Sequence, residues 1–328
     1  MKKISLLFTT LLLLTSCSKS YKVNIEFSDT LEKDAKVYLT DYMSGDTLAI
    51  ATANGKTCTL EGSLDKPFAC NISWDGCNYP LFNIIVDEGE TNVNLTGSIK
   101  VSGPLNETRA ACESERLNKI YNGDADYNSV YLDYYRENKD NIIGQWAFAS
   151  YLGSERPDDA QINKLLKEAP DEYSQLKIID KMKYLNHQAE LTSVDKQYLD
   201  VEITNGKGET HKLSDYVGED HFTIVYFFWP AVAEKNSKDL LPLNLVQESE
   251  HFQVVGISLY ADEEQTKEAI ARAEIKFPVL MSKQPTSQPA ELYGLYRYSN
   301  YYVIIGGNGK ILWRDYKLDE IMQKVLNK

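Results

Sequence analysis

Apolar and polar residues alternate through the first third of the chain, as they do in β-strands that bury one face. Val23, Ile25 and Phe27 form the first alternating run. The pattern predicts further strands around 37–39 and at 56–62, 67–74, 81–87 and 91–96. Residue pairs that favour tight turns separate the runs, at Ser44-Gly45 and Asn54-Gly55. We therefore predict an all-β sandwich or barrel over residues 21–102.

The apolar period changes to that of an α-helix between Leu105 and about Leu191. Apolar and aromatic residues recur there at helical spacing: Tyr127, Val130, Tyr131 and Tyr134, then Ile162, Leu165 and Leu166. We predict that residues 103–197 form a helical connector.

Strand and helix patterns alternate after Tyr198, which is typical of an α/β domain. The predicted strands cover 222–229, 252–258, 277–281, 301–305 and 310–315, and the predicted helices cover 237–248, 263–273 and 318–327. The Asn308-Gly309 pair favours a β-hairpin between the last two strands, because both residues tolerate positive φ. We predict an α/β domain over residues 198–328.

The amino-acid composition is that of a folded protein, and the net charge argues against a nucleic-acid partner. The chain has 328 residues, of which 43% are apolar and 25% are charged, proportions typical of soluble folded proteins. Its formal net charge of −13 repels phosphate groups. We therefore expect no nucleic-acid partner.

The N-terminus has the features of an export signal. Met1-Lys2-Lys3 is positively charged, residues 4–14 are apolar, and Leu14-Thr15-Ser16-Cys17 follows. An apolar helix of this length rises about 16 Å, which is less than a bilayer requires. The segment is therefore predicted to be a signal peptide rather than a membrane anchor.

The end of this signal resembles the bacterial lipoprotein box, whose cysteine becomes the lipidated first residue of the mature protein. The resemblance implies a signal peptide at 1–16, lipidation of Cys17 and a tether at 17–20. We therefore expect a protein of the bacterial cell envelope whose partner is the membrane, through a lipid anchor. The expected location is the outer membrane, facing the periplasm.

Several segments of the C-terminal part resemble membrane-attached bacterial thiol-disulfide oxidoreductases. They follow the family's order along the chain: Leu213-Ser214-Asp215-Tyr216-Val217-Gly218, 225–229, Val254-Val255-Gly256-Ile257-Ser258, Tyr293-Gly294-Leu295 and Gly309-Lys310-Ile311. These enzymes belong to the alkyl hydroperoxide reductase and thiol-specific antioxidant superfamily, so the resemblance implies a thioredoxin-like fold over 198–328. Residues 21–106 resemble the β-rich domain of unknown function that precedes such domains in lipoproteins.

The catalytic cysteines of that family are missing. Active members carry Cys-X-X-Cys after the first strand of the domain, where the start of a helix lowers the thiol pKa. Counted from the strand, Val232 and Lys235 occupy the two cysteine positions. Counted back from Pro242, Glu234 and Ser237 occupy them. Neither alignment supplies a thiol.

A second element of the family's site is also missing. Counted back from Gly309, the position of the family's cis-proline holds Asn300. A cis bond before a residue other than proline costs about 2.5–4 kcal/mol, so we expect a trans bond there. No cysteine follows Cys112 in the chain. The two losses together predict a redox-inactive domain.

Four cysteines remain in the exported part: Cys58, Cys70, Cys77 and Cys112. Disulfides are expected in an oxidising compartment, and four cysteines allow three pairings. We expect Cys58 to pair with Cys70 and Cys77 with Cys112. Buried free thiols are the alternative, since cysteine packs like a small apolar residue.

Aromatic residues are the positive indication of binding. Trp229, Tyr298, Tyr301 and Tyr302 gather around the former active-site and cis-proline positions. Tyrosine provides contact area with a polar tip, as binding surfaces do. The alternative interpretation, which the sequence favours, is that these rings serve edge-strand and helix packing. The four histidines are dispersed, without metal-ligand spacing, and we expect no metal and no cofactor.

Two functional hypotheses follow. In the first, the protein is a membrane-tethered, redox-inactive lipoprotein that binds an envelope protein or peptide, or that serves a structural role. In the second, it is a thiol-disulfide oxidoreductase of the envelope that uses cysteines outside the usual site. Thiol-dependent turnover distinguishes the two.

Overall fold

The computed structural model describes residues 19–75, 83–205, 209–228, 233, 237–238, 240–259, 263–281, 288–295 and 300–318. The chain divides into two compact units, Met1–Phe148 and Ala149–Lys328. The division falls inside a helix of the predicted connector. The predicted boundaries of that connector, at residues 103 and 197, stay predictions.

The described part of the first unit contains two four-stranded sheets. The strands are β1 (Ser20–Glu26), β2 (Lys36–Asp41), β3 (Thr47–Thr52), β4 (Thr57–Ser63), β5 (Phe68–Trp74), β6 (Asn83–Val86), β7 (Gly89–Asn94) and β8 (Lys100–Val101). One sheet has the order β4-β1-β7-β8 and the other the order β3-β2-β5-β6. Strand β1 pairs antiparallel with β4 and parallel with β7.

Both sheets contribute alternate residues to one apolar core, which confirms the predicted β-rich fold of this region. Val23 and Ile25 of β1 share that core with Leu39 of β2 and Ile72 of β5. Strand β3 was not predicted, because its sequence Thr-Leu-Ala-Ile-Ala-Thr places apolar residues on both faces. Strand β8 has two residues and carries too little pattern to detect.

The prediction that Cys58 and Cys70 form a disulfide is wrong, because both are free thiols in this structure. All three cysteines that the structure describes, Cys58, Cys70 and Cys112, are buried free thiols. Strand β4, which carries Cys58, pairs with β1, whereas β5, which carries Cys70, pairs with β2 and β6. The turn at 63–66 therefore leads from one sheet to the other instead of closing a hairpin. Cys77 lies outside the described residues.

Five helices follow the sandwich strands: α1 (Pro104–Tyr121), α2 (Ser129–Asn138), α3 (Ile142–Glu155), α4 (Asp159–Leu166) and α5 (Lys177–Leu191). The predicted helical character of this region is thus present. The first two helices and the start of α3 belong to the first unit. Within the described ranges, no helix is both long and apolar enough to cross a membrane.

Helix α1 covers the edge of the second sheet through Asn106. Strand β6 ends that sheet, and its Ile85 presents an N–H and a C=O to α1. The Asn106 Oδ1 accepts a hydrogen bond from the Ile85 N–H at 2.9 Å, and its Nδ2 donates to the Ile85 carbonyl at 2.8 Å and the Ser102 carbonyl at 3.0 Å. The side chain is 3% exposed. Asn106 therefore replaces the strand that the edge lacks.

The second unit contains a seven-stranded mixed sheet with the order β10-β9-β13-β12-β11-β14-β15. Its strands are β9 (Glu202–Asn205), β10 (Thr210–Lys212), β11 (Phe222–Phe228), β12 (Phe252–Ser258), β13 (Val279–Met281), β14 (Asn300–Ile305) and β15 (Ile311–Asp315). The intervening helices are α6 (Leu240–Val246), α7 (Glu263–Ala273) and α8 (Gln288–Leu292). Strands β11, β12 and β13 are parallel, and β14 runs antiparallel to β11.

This order confirms the predicted α/β domain. The last five strands lie close to their predicted positions, whereas the short β9–β10 hairpin was missed. Gly309, at a φ of 76°, lies in the turn between β14 and β15, as the Asn-Gly pair indicated. Of the predicted last helix, Leu318 is helical and residues 319–327 lie outside the described ranges.

The Arg314 guanidinium fastens helix α5 to this sheet. Its Nη1 donates to the Thr192 carbonyl at 2.8 Å and hydroxyl at 2.6 Å, and to the Ala189 carbonyl at 3.2 Å. Its Nη2 donates to the Tyr293 carbonyl at 2.7 Å, and its Nε donates to the Tyr301 hydroxyl at 2.8 Å. Thr192 is the C-terminal cap of α5. One side chain on β15 thus binds the end of a helix, the α8 loop and β14.

The backbone after α8 is packed closely against α5 beside this arginine. A Cβ on Gly294, which has a φ of +68°, would lie 2.6 Å from the backbone nitrogen of Ala189. The Gly294 carbonyl accepts a hydrogen bond from Arg156 Nη2 at 2.5 Å. Lys181 of α5 also forms a salt bridge with Glu291 of α8. Glycine is therefore required at this contact for both space and backbone conformation.

Replacing Asn106 by Leu should lower the free energy of unfolding by about 2–4 kcal/mol, because the Ile85 N–H and C=O lose their partners inside the protein. Asn118→Leu, on an exposed position of the same helix, is the matched control and should change it by less than about 0.5 kcal/mol. The measurement is urea-induced unfolding followed by circular dichroism. Equal unfolding midpoints for the two variants would show that Asn106 does not protect the sheet edge.

Replacing Arg314 by Lys should destabilise the second unit by about 1–3 kcal/mol, since an ammonium keeps the charge but cannot reach the same set of oxygens. Arg136→Lys, at a pair with Asp133 on the surface of α2, serves as the control. Hydrogen exchange of amides in α5 and β15 reports the difference. Unchanged exchange in Arg314→Lys would contradict the proposed role of the guanidinium.

Candidate functional site

The candidate site lies where β11 ends beside the start of β14. Phe228, the last residue of β11, pairs with Asn300, the first residue of β14. The structure therefore brings the cis-proline position next to the strand that precedes the former cysteine positions. Of the predicted site residues here, Trp229, Val232, Glu234, Lys235 and Tyr298 lie outside the described residues, and so does Ser299, which precedes Asn300.

Ser237 lies three residues before α6 and caps the start of that helix. Its Oγ accepts a hydrogen bond from the Leu240 N–H at 3.1 Å, and its carbonyl accepts one from the Leu241 N–H at 3.2 Å. This pattern is that of an N-terminal helix cap. The serine that one alignment places at a cysteine position thus has a structural role. A serine before an apolar run is a capping signal, so its role was detectable in the sequence.

Asn300 is hydrogen-bonded to the strand beside it. Its Oδ1 accepts a hydrogen bond from the Tyr226 hydroxyl at 3.1 Å. The Tyr226 ring is stacked between Phe228 and Tyr302, with ring centroids 4.9 Å apart and planes 7° from parallel in both pairs. Tyr226 lies within a continuous apolar run, and nothing in that run indicates this hydrogen bond.

Tyr301 and Tyr302 are core residues, which corrects their interpretation as possible binding residues. Tyr301 is 7% exposed and Tyr302 is fully buried. Strand β14 lies inside the sheet and is covered on both faces, so successive side chains enter two different cores. Burial raises the pKa of Tyr301, and the neighbouring Arg314 opposes the increase. The alternative weighed from the sequence, packing on an edge strand and a helix, is right that these two residues are structural, but it is wrong about the edge, because β14 lies between β11 and β15.

The cysteines that the structure describes are poor nucleophiles. Burial raises the pKa of Cys58 and of Cys70, and it raises the pKa of Cys112 to about 12. A thiol reacts as its thiolate, so these groups remain protonated and unreactive near neutral pH. Cys17 and Cys77 lie outside the described residues. Among the described residues, no group of three or more His, Cys, Asp or Glu side chains is arranged to hold a metal ion.

Comparison with known proteins identifies a family that the second unit resembles. Residues 194–314 match the model of the AhpC/TSA family. No curated protein matches the chain. Among solved structures, a thiol-disulfide oxidoreductase from Bacteroides fragilis is 21% identical, with 40% of this chain and 98% of that chain covered and a TM-score of 0.36. The thioredoxin domain of a thiol-disulfide oxidoreductase from Bacteroides vulgatus is 19% identical, with 41% and 96% covered and a TM-score of 0.36.

The family match runs from before β9 into β15 and so covers the strands of the seven-stranded sheet. These strands have the parallel order β13-β12-β11 followed by the antiparallel hairpin of β14 and β15. Residues 194–314 are therefore a thioredoxin-like domain of the AhpC/TSA family.

Proposed function

We propose that the chain is a membrane-tethered lipoprotein of a bacterial envelope whose thioredoxin-like domain has lost thiol chemistry and serves as a binding or structural module. The observation that carries this proposal is the absence of any cysteine after Cys112 in the sequence. The thioredoxin-like domain begins well beyond that residue. It therefore contains no sulfur that could attack a disulfide or a peroxide.

The residues at the former site support the same conclusion. Ser237 uses its hydroxyl oxygen to accept the Leu240 N–H, so it stabilises the start of α6. Asn300 is joined to Tyr226 within the sheet. Both residues stabilise the local fold, and neither supplies a redox-active group.

Burial argues against the second hypothesis, in which cysteines of the first unit perform the exchange. Cys70 and Cys112 are 0% exposed and Cys58 is 4% exposed. Thiol exchange requires the attacking sulfur to approach in line with a disulfide, which a buried thiol cannot do without unfolding. The raised pKa values of these three thiols also argue against the second hypothesis, because they leave little reactive thiolate.

The proposed partner is an envelope protein or an extended peptide, since family members bind such segments at this end of the sheet. Trp229 and Tyr298 remain the candidate contacts, while the buried Tyr301 and Tyr302 do not. The proposed location is the periplasmic face of the outer membrane, reached through a lipid on Cys17. The signal sequence and the lipoprotein box support this location.

Redox inactivity predicts that the purified protein neither reduces insulin disulfides nor consumes peroxide in the presence of a thiol donor. A variant with Cys58, Cys70, Cys77 and Cys112 all replaced by Ser is the matched control. The two proteins should give the same background rate. Turnover by the parent above this control would favour the oxidoreductase hypothesis.

Lipidation predicts that Cys17→Ala moves the protein from the membrane fraction to the soluble fraction. Cys58→Ala, which removes a thiol inside the sandwich core, should leave the protein in the membrane fraction. Fractionation followed by mass spectrometry of the N-terminus distinguishes the two variants. If Cys17→Ala remains in the membrane after its signal peptide is removed, another contact holds the protein there.

A further inference from the structure

Strand β3 ends its sheet and leaves backbone hydrogen-bonding groups open. Within the described residues, it is the end strand of the order β3-β2-β5-β6. The Ala53 N–H, directly after β3, donates to the Ala35 carbonyl at 2.9 Å. Hydrogen-bonded pairs alternate along an antiparallel ladder, so Ala51 also bonds to β2. The N–H and C=O groups of Ile50 and Thr52 therefore point away from β2, toward the open edge.

The other edges of the two sheets in the first unit are protected, and the edge at β3 is not. Among the described residues, Asn106 covers β6, β4 carries the exposed Glu61, and β8 has two residues, one of which is Lys100. Natural proteins use such features to prevent strand pairing between molecules. Strand β3 has the sequence Thr-Leu-Ala-Ile-Ala-Thr, without charge, proline or glycine. Its edge is therefore open to another strand.

Two apolar side chains of β3 are exposed beside this open edge. Leu48 is 42% exposed and Ile50 is 58% exposed. The residues between and after them, Ala49 and Ala51, pack against the core of the sandwich. A strand added at this edge would cover backbone polar groups and apolar side chains together.

Charges at the two ends of β3 favour an antiparallel second copy as the added strand. The exposed Lys36 lies at the C-terminal end, where its Nζ donates to the Thr52 hydroxyl at 2.7 Å. The exposed Asp46 precedes the N-terminal end. Antiparallel pairing of two copies brings the lysine end of each strand to the aspartate end of the other, whereas parallel pairing places like charges together. The strand itself adds no repulsion, although the chain carries a net charge of −13.

We propose that two copies of this chain pair antiparallel through β3, with Ile50 at the twofold axis. A twofold contact uses the same surface of both copies, so the N–H groups of one edge meet the C=O groups of the other. This register places Ile50 opposite Ile50 and Leu48 opposite Thr52, so that three alternate positions of each strand are paired. The sheet β3-β2-β5-β6 then continues into its copy. The contact depends neither on a lipid anchor nor on the thioredoxin-like domain.

Sedimentation equilibrium of the purified protein tests the pairing. The parent should form a dimer with a Kd of about 1–100 μM, as expected of a small interface. Ile50→Lys puts a charge on the edge strand and should weaken dimerisation at least about tenfold. Ile99→Lys, which replaces another exposed apolar side chain of the first unit, is the matched control and should dimerise like the parent.

Cysteine crosslinking tests the register independently of the lysine variants. Residues that face each other in a hydrogen-bonded antiparallel pair have Cα atoms about 5.5 Å apart, within the range of about 4.4–6.8 Å that a disulfide spans. Ile50→Cys is made in a chain with Cys17 and Cys77 replaced by Ser. With oxidised glutathione, it should form a covalent dimer at least about tenfold faster than Ile99→Cys in the same background.

Three outcomes would overturn the proposal. A parent that remains monomeric at about 100 μM has no such contact, and binding of an extended peptide at β3 by that monomer would identify a different partner for the edge. A dimer that Ile50→Lys does not weaken uses another surface. Equal crosslinking rates for Ile50→Cys and Ile99→Cys mean that the two strands do not meet at Ile50.

Discussion

The fold of the second unit depends on one arginine that binds neutral oxygens. Arg314 donates to the backbone at the end of α5, to the backbone after α8 and to the Tyr301 hydroxyl. Helix carbonyls at a C-terminus carry partial negative charge, so a guanidinium suits them without a carboxylate partner. Because Arg314 extends from β15, the last described strand, it connects the end of the domain with the helix that precedes it.

Because of this connection, the segment that packs into the thioredoxin-like domain begins earlier in the chain than the family match does. The family match starts at residue 194, yet Ala189 and Thr192 of the preceding segment bind Arg314. The close contact between Gly294 and Ala189 lies at the same place. Helix α5 therefore completes this domain, and a chain cut at residue 194 would leave donors of a partly buried arginine without acceptors.

Sequence patterns identified the parts of the fold in which buried apolar residues recur at the regular spacing of a strand or a helix. Strands β11, β12 and β14 are largely apolar runs, and the Asn308-Gly309 pair indicated the hairpin that ends in β15. The patterns failed where the result depends on which other strands and helices pack against a given strand. Periodicity placed Cys58 and Cys70 on buried faces, but it could not show that their strands belong to different sheets. It placed aromatic residues near the site, but it could not show that β14 is covered on both faces, which buries Tyr301 and Tyr302.

The candidate site keeps its local structure through contacts that involve no cysteine. In the family, the N–H groups at the start of the helix after the first strand stabilise a thiolate, which is a reactive and exposed group. Here an N–H at that helix start is satisfied by the Ser237 hydroxyl, so the helix retains a cap without a charge. Beneath it, Tyr226 fills the sheet between Phe228 and Tyr302 and secures Asn300 through its hydroxyl. None of these contacts needs sulfur. These contacts stabilise this end of the sheet independently of any thiol, so the fold there does not require the cysteines that the family places at it.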